Sequence, residues 1–112
     1  MNYETNQFGI RFKTIAPGAM NTDYVGRSLT YVANEAYTPL WNKMMSGFED
    51  GSTNVVFSEP EQIAAIIYEA ATDNKTQLRY LAGPDAVHAS QTRQKLGIQA
   101  HSEQINELYK FN

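Results

Sequence analysis

In a chain without cysteine, the residues that could do chemistry are its histidines, serines, carboxylates and glycine turns. The missing thiols exclude disulfides, thiolate metal ligands and a cysteine nucleophile, and they fit a reducing compartment. His88 and His101 are isolated in the sequence, with no carboxylate or second histidine at metal-ligand spacing, so both are expected on helix surfaces. Ser28, Ser46 and Ser90 lack the strand, turn and helix setting of a hydrolase nucleophile. Glu59, Glu61 and Glu69 fall on one predicted helix, where they suit the helix N-terminus and a solvated face better than an acid/base pair. Gly47 and Gly51, followed by Thr53, come nearest to the spacing of a phosphate-binding loop. They neither follow a strand nor open a helix, so they make no dinucleotide fingerprint. What remains is Pro17-Gly18 with Thr22 behind it, a turn at the end of a β-prone stretch.

The elements that must position these residues can be read from pattern. Residues 1–8 suit the last turns of a helix, with Gly9 just past its end. Ile10 to Ala16 reads as a strand stopped by Pro17-Gly18. Thr22-Asp23 suits the start of a helix to about Ala33, which Gly26 weakens. A stronger helix follows, with Thr38 as its cap, Pro39 in its first turn and Gly47 at its end. Tyr37, Leu40, Trp41, Met44, Met45 and Phe48 recur along one face of that helix. Such a stripe serves either as core or as the wall of an apolar pocket. Residues 49–54 form a loop and 55–57 a short apolar segment. Ser58 to Glu61 has the pattern of a capping box, Ser58 bonding the amide of Glu61 and Glu61 that of Ser58. Ile63, Ile66, Ile67 and Ala70 then make an apolar stripe on a helix that ends at Asp73-Asn74-Lys75. Leu78 to Ala82 is a second strand, closed by Gly83-Pro84. Helices are predicted over 85–96, ending at Gly97, and over 102–109.

Composition narrows the function classes. The 112 residues are 42% hydrophobic and 19% charged, with net charge −3, an ordinary globular balance sufficient for one domain. The nine Lys and Arg are scattered, so no basic face for nucleic acid or an anionic membrane is expected. No apolar run approaches the roughly 20 residues that span a bilayer, and the N-terminus has no signal-peptide pattern; a cytoplasmic protein is the default expectation. The order strand, helices, strand predicts a parallel pair in an α/β sheet. Two parallel strands are little sheet for so many helices, since parallel sheets are normally buried on both faces. The mismatch suggests a piece of a larger fold.

The run Gly9-Ile10-Arg11-Phe12-Lys13-Thr14-Ile15-Ala16-Pro17-Gly18, with Thr22 following, resembles the short-chain dehydrogenase/reductase family. Ser58 to Ala64 is similar to the family's helix entrance, and Leu78 to Ala86 to the strand and loop that end the sheet in one subset of it. The resemblance covers nearly the whole chain. It implies the C-terminal part of a doubly wound Rossmann-type parallel sheet, the last two strands, with a helical substrate lid. Residues 1–112 would then be the C-terminal segment of a single NAD(P)-binding domain. Within it, 9–22 would be the strand and cofactor-side loop, 23–57 the lid, and 58–112 the last helix, last strand and C-terminal helices. It further implies that Pro17, Gly18, Met20 and Thr22 lie beside the nicotinamide of NAD or NADP, the backbone near Met20 and the Thr22 hydroxyl meeting its carboxamide. Tyr37, Leu40, Trp41, Met44, Met45 and Phe48 would include residues lining a pocket for an alcohol or carbonyl substrate.

Hydride transfer in that family uses a Tyr-x-x-x-Lys pair, the lysine lowering the tyrosine pKa. None of Tyr3, Tyr24, Tyr31, Tyr37, Tyr68, Tyr80 and Tyr109 has a lysine four residues on, and the glycine-rich loop is absent as well. Micromolar cofactor binding needs about −8 kcal/mol, whereas one hydrogen bond from Thr22 contributes roughly 0.5–1.5 kcal/mol. The isolated chain is therefore expected to have no catalytic residues, to bind no cofactor usefully and to be inactive, whether it arises by truncation or from an incomplete gene. A second reading is a non-catalytic module of the same ancestry that associates with itself or with another chain, because an unpaired strand edge is adhesive. A third is an unrelated small helical domain in which Pro17-Gly18 is a plain turn.

Overall fold

Two short strands pair in parallel where their β-prone stretches face each other: β1 (Thr14–Pro17) and β2 (Arg79–Ala82), in the register Thr14 to Arg79 through Pro17 to Ala82. The computed structural model describes residues 1–53 and 55–110, so Asn54, the last residue of the expected loop, lies outside the described residues. A parallel pair needs a crossover rather than a hairpin. Here it carries two helices, α2 (Thr38–Asp50) and α3 (Pro60–Thr72), before β2, with α4 (Pro84–Leu96) and α5 (Ile98–Leu108) after it. The molecule is thus a mixed α/β fold with a two-stranded parallel sheet and several helices, and a short helix α1 (Asn2–Thr5) precedes β1.

Both α3 and α4 pack on β2, and α5 packs on α4. The alternation of β2 puts Tyr80 and Ala82 in the interior, and Ile63 and Ala70 meet them from one face of α3. These four residues are the buried apolar core among the described residues. Tyr3, Phe8, Tyr24, Val32, Tyr37, Phe57, Tyr68 and Ile98 are all more than half exposed. The radius of gyration is 17.5 Å, against about 13 Å for a compact domain of this length. Among the described residues, no helix is long and apolar enough to cross a membrane.

Several boundaries differ from the sequence expectation, each for a local reason. The strand expected from Ile10 begins at Thr14, because only the residues opposite Arg79 to Ala82 find a ladder partner. Ahead of it, the Asn2 side chain stands in for a strand: it accepts the Phe12 N–H at 2.6 Å and donates to the Phe12 carbonyl at 3.0 Å. The helix expected from Thr22-Asp23 to Ala33 shrinks to one π-helical turn, Tyr24–Ser28. Its apolar residues Tyr24, Val25, Leu29, Tyr31 and Val32 stay exposed, so no packing offsets the cost of helix nucleation.

Thr38 is the first residue of α2 rather than its cap, and Gly47 does not end that helix. Gly47 lies buried inside it, where a Cβ would stand 2.5 Å from the Thr53 methyl; the end comes at Gly51, in the left-handed region at φ 75°. The capping box of α3 sits one residue later than predicted: Glu59 is the N-cap and trades bonds with Gln62, while Ser58 is buried and committed elsewhere. The last helix starts at Ile98 rather than Ser102, because Gly97, at φ 82°, is the whole joint between α4 and α5. The predicted helix end and positive-φ glycine at Gly9 are present, at φ 71°.

Candidate functional site

The carboxyl ends of both strands of a parallel pair face the same way, and here each runs into a glycine turn. Pro17 is the last residue of β1, and the Gly18 N–H donates to the Ala82 carbonyl at 2.8 Å, carrying the pairing one step past the strand. The loop then leaves β1 and meets the segment ahead of α3. Ser58 N–H donates to the Ala19 carbonyl and the Asn21 N–H to the Ser58 carbonyl, both at 2.9 Å, making a one-residue parallel bridge between Met20 and Ser58. The Asn21 side chain adds a bond to Glu59 at 3.2 Å. From the other side Asp85, in the first turn of α4, accepts the Ala19 N–H at 2.8 Å. The Thr22 N–H turns back onto the Met20 carbonyl at 3.0 Å.

The backbone donors of this loop are thus nearly all spoken for. The N–H groups of Gly18, Ala19, Asn21 and Thr22 have protein acceptors. Among the described residues, the Met20 N–H has none, and Met20 and Thr22 are both exposed. A backbone donor and a hydroxyl two residues apart, on a loop fixed at both flanks, suit a ligand with a carbonyl acceptor and an amide donor, which is the hydrogen-bonding pattern of a carboxamide. No larger share of such a ligand is accounted for by this loop.

The stripe on α2 divides. Tyr37, Leu40, Trp41 and Met44 line a hollow of about 220 Å³ together with Tyr31, Val32 and Asn34, and the Tyr31 and Trp41 rings lie 4.6 Å apart. Phe48 turns instead to the edge of Phe57, with centroids 6.5 Å apart, and Met45 is half-buried outside that hollow. None of Pro17, Gly18, Met20 and Thr22 lines it. The structure therefore brings four of the six stripe residues into one hollow, which the loop does not line.

Two groupings had no sequence signal because they form between separate elements. His88 on α4 and His101 on α5 line one hollow of about 510 Å³, with Asp85 and Thr92 among its other residues; the single-glycine joint at Gly97 is what folds the two helices together. Both line it, yet among the described residues no group of three or more His, Cys, Asp or Glu could hold a metal ion. The second grouping is Lys13, Asp73 and Tyr80. Lys13 Nζ lies 2.5 Å from Asp73 Oδ1 and 3.3 Å from the Tyr80 hydroxyl, and that hydroxyl donates to Asp73 Oδ2. This is a tyrosine and lysine in contact, but at the amino ends of the strands, opposite the glycine turns. The Asp73 hydrogen bond pushes the Tyr80 pKa up, with burial adding to it, whereas a proton-transferring tyrosine needs it lowered. The trio ties the end of α3 to both strands.

Among proteins of known annotation, the chain is 32% identical over 85 residues to Oxidoreductase BOA17 of Botryotinia fuckeliana (strain B05.10). The match takes in 75% of this chain and 31% of that relative, so the chain spans about a third of its length. No family model matches the chain, and no solved structure matches it.

Proposed function

We propose that this chain is the C-terminal segment of an NAD(P)-dependent short-chain oxidoreductase acting on an alcohol or carbonyl substrate. The observation that carries the reading is the loop at the carboxyl end of β1, pinned on both flanks and left with the Met20 N–H and the Thr22 side chain on offer. Ligands of open α/β sheets bind at the carboxyl ends of the strands, and the similarity to a protein named an oxidoreductase supports an oxidoreductase-like origin.

In this reading the bound dinucleotide supplies or accepts the hydride. Pro17 and Gly18 would let the backbone come close, and the Met20 N–H and the Thr22 hydroxyl would hold the nicotinamide carboxamide. Tyr37, Leu40, Trp41 and Met44 contribute an apolar wall that closes over the substrate when the complete protein folds around them. The proton-transferring residues belong to the rest of the protein, and the choice of NAD or NADP rests there too.

The test is the intact mass of the native protein, followed by cofactor titration. A source protein of roughly 250 residues, ordinary for a single α/β domain, that binds NADH or NADPH and loses affinity on Thr22→Val supports the reading. A native product of 12.6 kDa refutes it. That outcome favours the second reading, a self-associating module, for which the many exposed aromatic and aliphatic residues speak. Hydride transfer by the pure 112-residue chain would contradict the expected dependence on an upstream segment.

A further inference from the structure

The Asp85 side chain is set against the backbone of the loop that leaves β1, although its own helix does not require that placement. An acid in the first turn of α4 would serve the helix N-terminus equally well facing solvent. Instead Oδ2 accepts the Ala19 N–H at 2.8 Å, and Oδ1 is buried with no hydrogen-bond partner among the described residues. A Cβ on Gly18 would lie 1.8 Å from Oδ1 and 2.2 Å from Cγ, and one on Gly83 would lie 3.0 Å from Oδ1. Gly18 therefore clears the room for the carboxylate, while Gly83, at φ 106° and with Ser58 Oγ nearest its Cβ position at 2.9 Å, is also required by its backbone. Gly18 has no positive φ, so the close approach, not an unusual backbone conformation, is what demands glycine there.

The consequence falls on Met20. Its N–H shares a peptide plane with the Ala19 carbonyl, which Ser58 holds. The preceding plane, carrying the Ala19 N–H, is held by Asp85. With both fixed, the direction of the Met20 N–H is fixed. We infer that Asp85 is a positioning residue for the cofactor-side loop, aiming the Met20 N–H at the nicotinamide carboxamide without touching the ligand. The inference rests on the proposed reading of that loop.

Asp85→Ala and Asp85→Asn in the full-length protein test it, with NADH and NADPH as probes. The asparagine keeps an acceptor for the Ala19 N–H; the alanine removes it. Asp85→Ala is expected to raise the cofactor KM by roughly two- to tenfold, the equivalent of one hydrogen bond, and to speed Ala19 amide hydrogen exchange by a similar factor. Asp85→Asn should stay close to the parent on both. A purely structural role would lower the unfolding midpoint of Asp85→Ala and leave the KM of the folded enzyme and the Ala19 exchange unchanged, which would overturn the inference. If the parent binds neither cofactor, the loop reading fails and takes the cofactor half of the inference with it; Ala19 exchange then still decides whether Asp85 holds the loop.

Discussion

At the scale of single residues, the strongest constraints lie where polar groups sit against backbone. Gly18→Ala places a methyl inside the Asp85 carboxylate, at 1.8 Å from Oδ1, and overpacking of this kind costs about 1–3 kcal/mol. Urea unfolding should show that loss, and the loss should shrink when Asp85→Ala is added, because the carboxylate atoms are the nearest obstacle. The Lys13, Asp73 and Tyr80 trio makes a pH prediction. Side-chain exposures of 15% for Lys13 and 7% for Asp73 shield the pair from solvent. The bond from Lys13 and then that from Tyr80 hold the Asp73 carboxyl far below its usual value. A depressed carboxylate contributes stability that is complete above its unfolded pKa of about 3.9 and is lost as pH falls through the folded value. Lys13, raised chiefly by Asp73, contributes fully below its unfolded pKa and loses that contribution as pH rises through its folded value. The unfolding midpoint of Asp73→Asn should therefore lie below that of the parent at pH 7, and the gap should narrow as the pH is taken into the strongly acid range. A gap independent of pH would rule the ion pair out as its cause.

At the scale of elements, the sequence gets the kind of element right more often than its ends. Helices α2 and α3 stand where apolar periodicity put them, and α4 covers the expected 85–96 with Pro84, read in the sequence as part of the turn closing β2, as its first residue. Their caps shift because capping is a competition: Ser58 was the better cap by type, but its backbone is engaged with Ala19 and Asn21 and its side chain is buried, so Glu59 takes the position. Glu59→Ala should then destabilise α3 by about 0.5–2 kcal/mol and expose the Gln62 amide to faster hydrogen exchange. Ser58→Ala should leave that amide protected, and the reverse order would restore Ser58 as the cap. The helix predicted over residues 22–33 fails for a different reason. A periodic stripe forms a helix when something covers it, and among the described residues nothing buries Tyr24, Val25 or Val32.

At the scale of the whole molecule, two parallel strands and a core of Ile63, Ala70, Tyr80 and Ala82 leave much apolar surface uncovered. Exposed apolar surface of this extent marks an interaction face or an aggregation hazard, and both proposed readings use it, one for the remainder of an enzyme and the other for a second copy. The isolated 112-residue chain should bind a hydrophobic dye and sediment above its monomer mass at micromolar concentration. If, as proposed, the chain belongs to a longer protein whose sheet covers this surface, that protein should do neither. An isolated chain that is monomeric and blind to the dye would mean the exposed side chains repack, and the extended shape with its 17.5 Å radius would not hold in solution.

The sequence by itself determined what depends on near neighbours. That includes the strand that stops at Pro17-Gly18, the helix N-termini at Pro39 and Pro60, the glycine end at Gly9, and the lack of a Tyr-x-x-x-Lys pair. Proline geometry, glycine freedom and side-chain periodicity act over a few residues and can be read there. Only the tertiary structure decided which donors of the loop are already taken, that Gly18 is glycine because of a carboxylate 67 residues away, that His88 and His101 share a hollow, and that the tyrosine touching a lysine is Tyr80, at the end of the sheet opposite the glycine turns. Those facts depend on how separate elements pack, and the spacing of residue types along the chain does not encode which groups of different elements will meet.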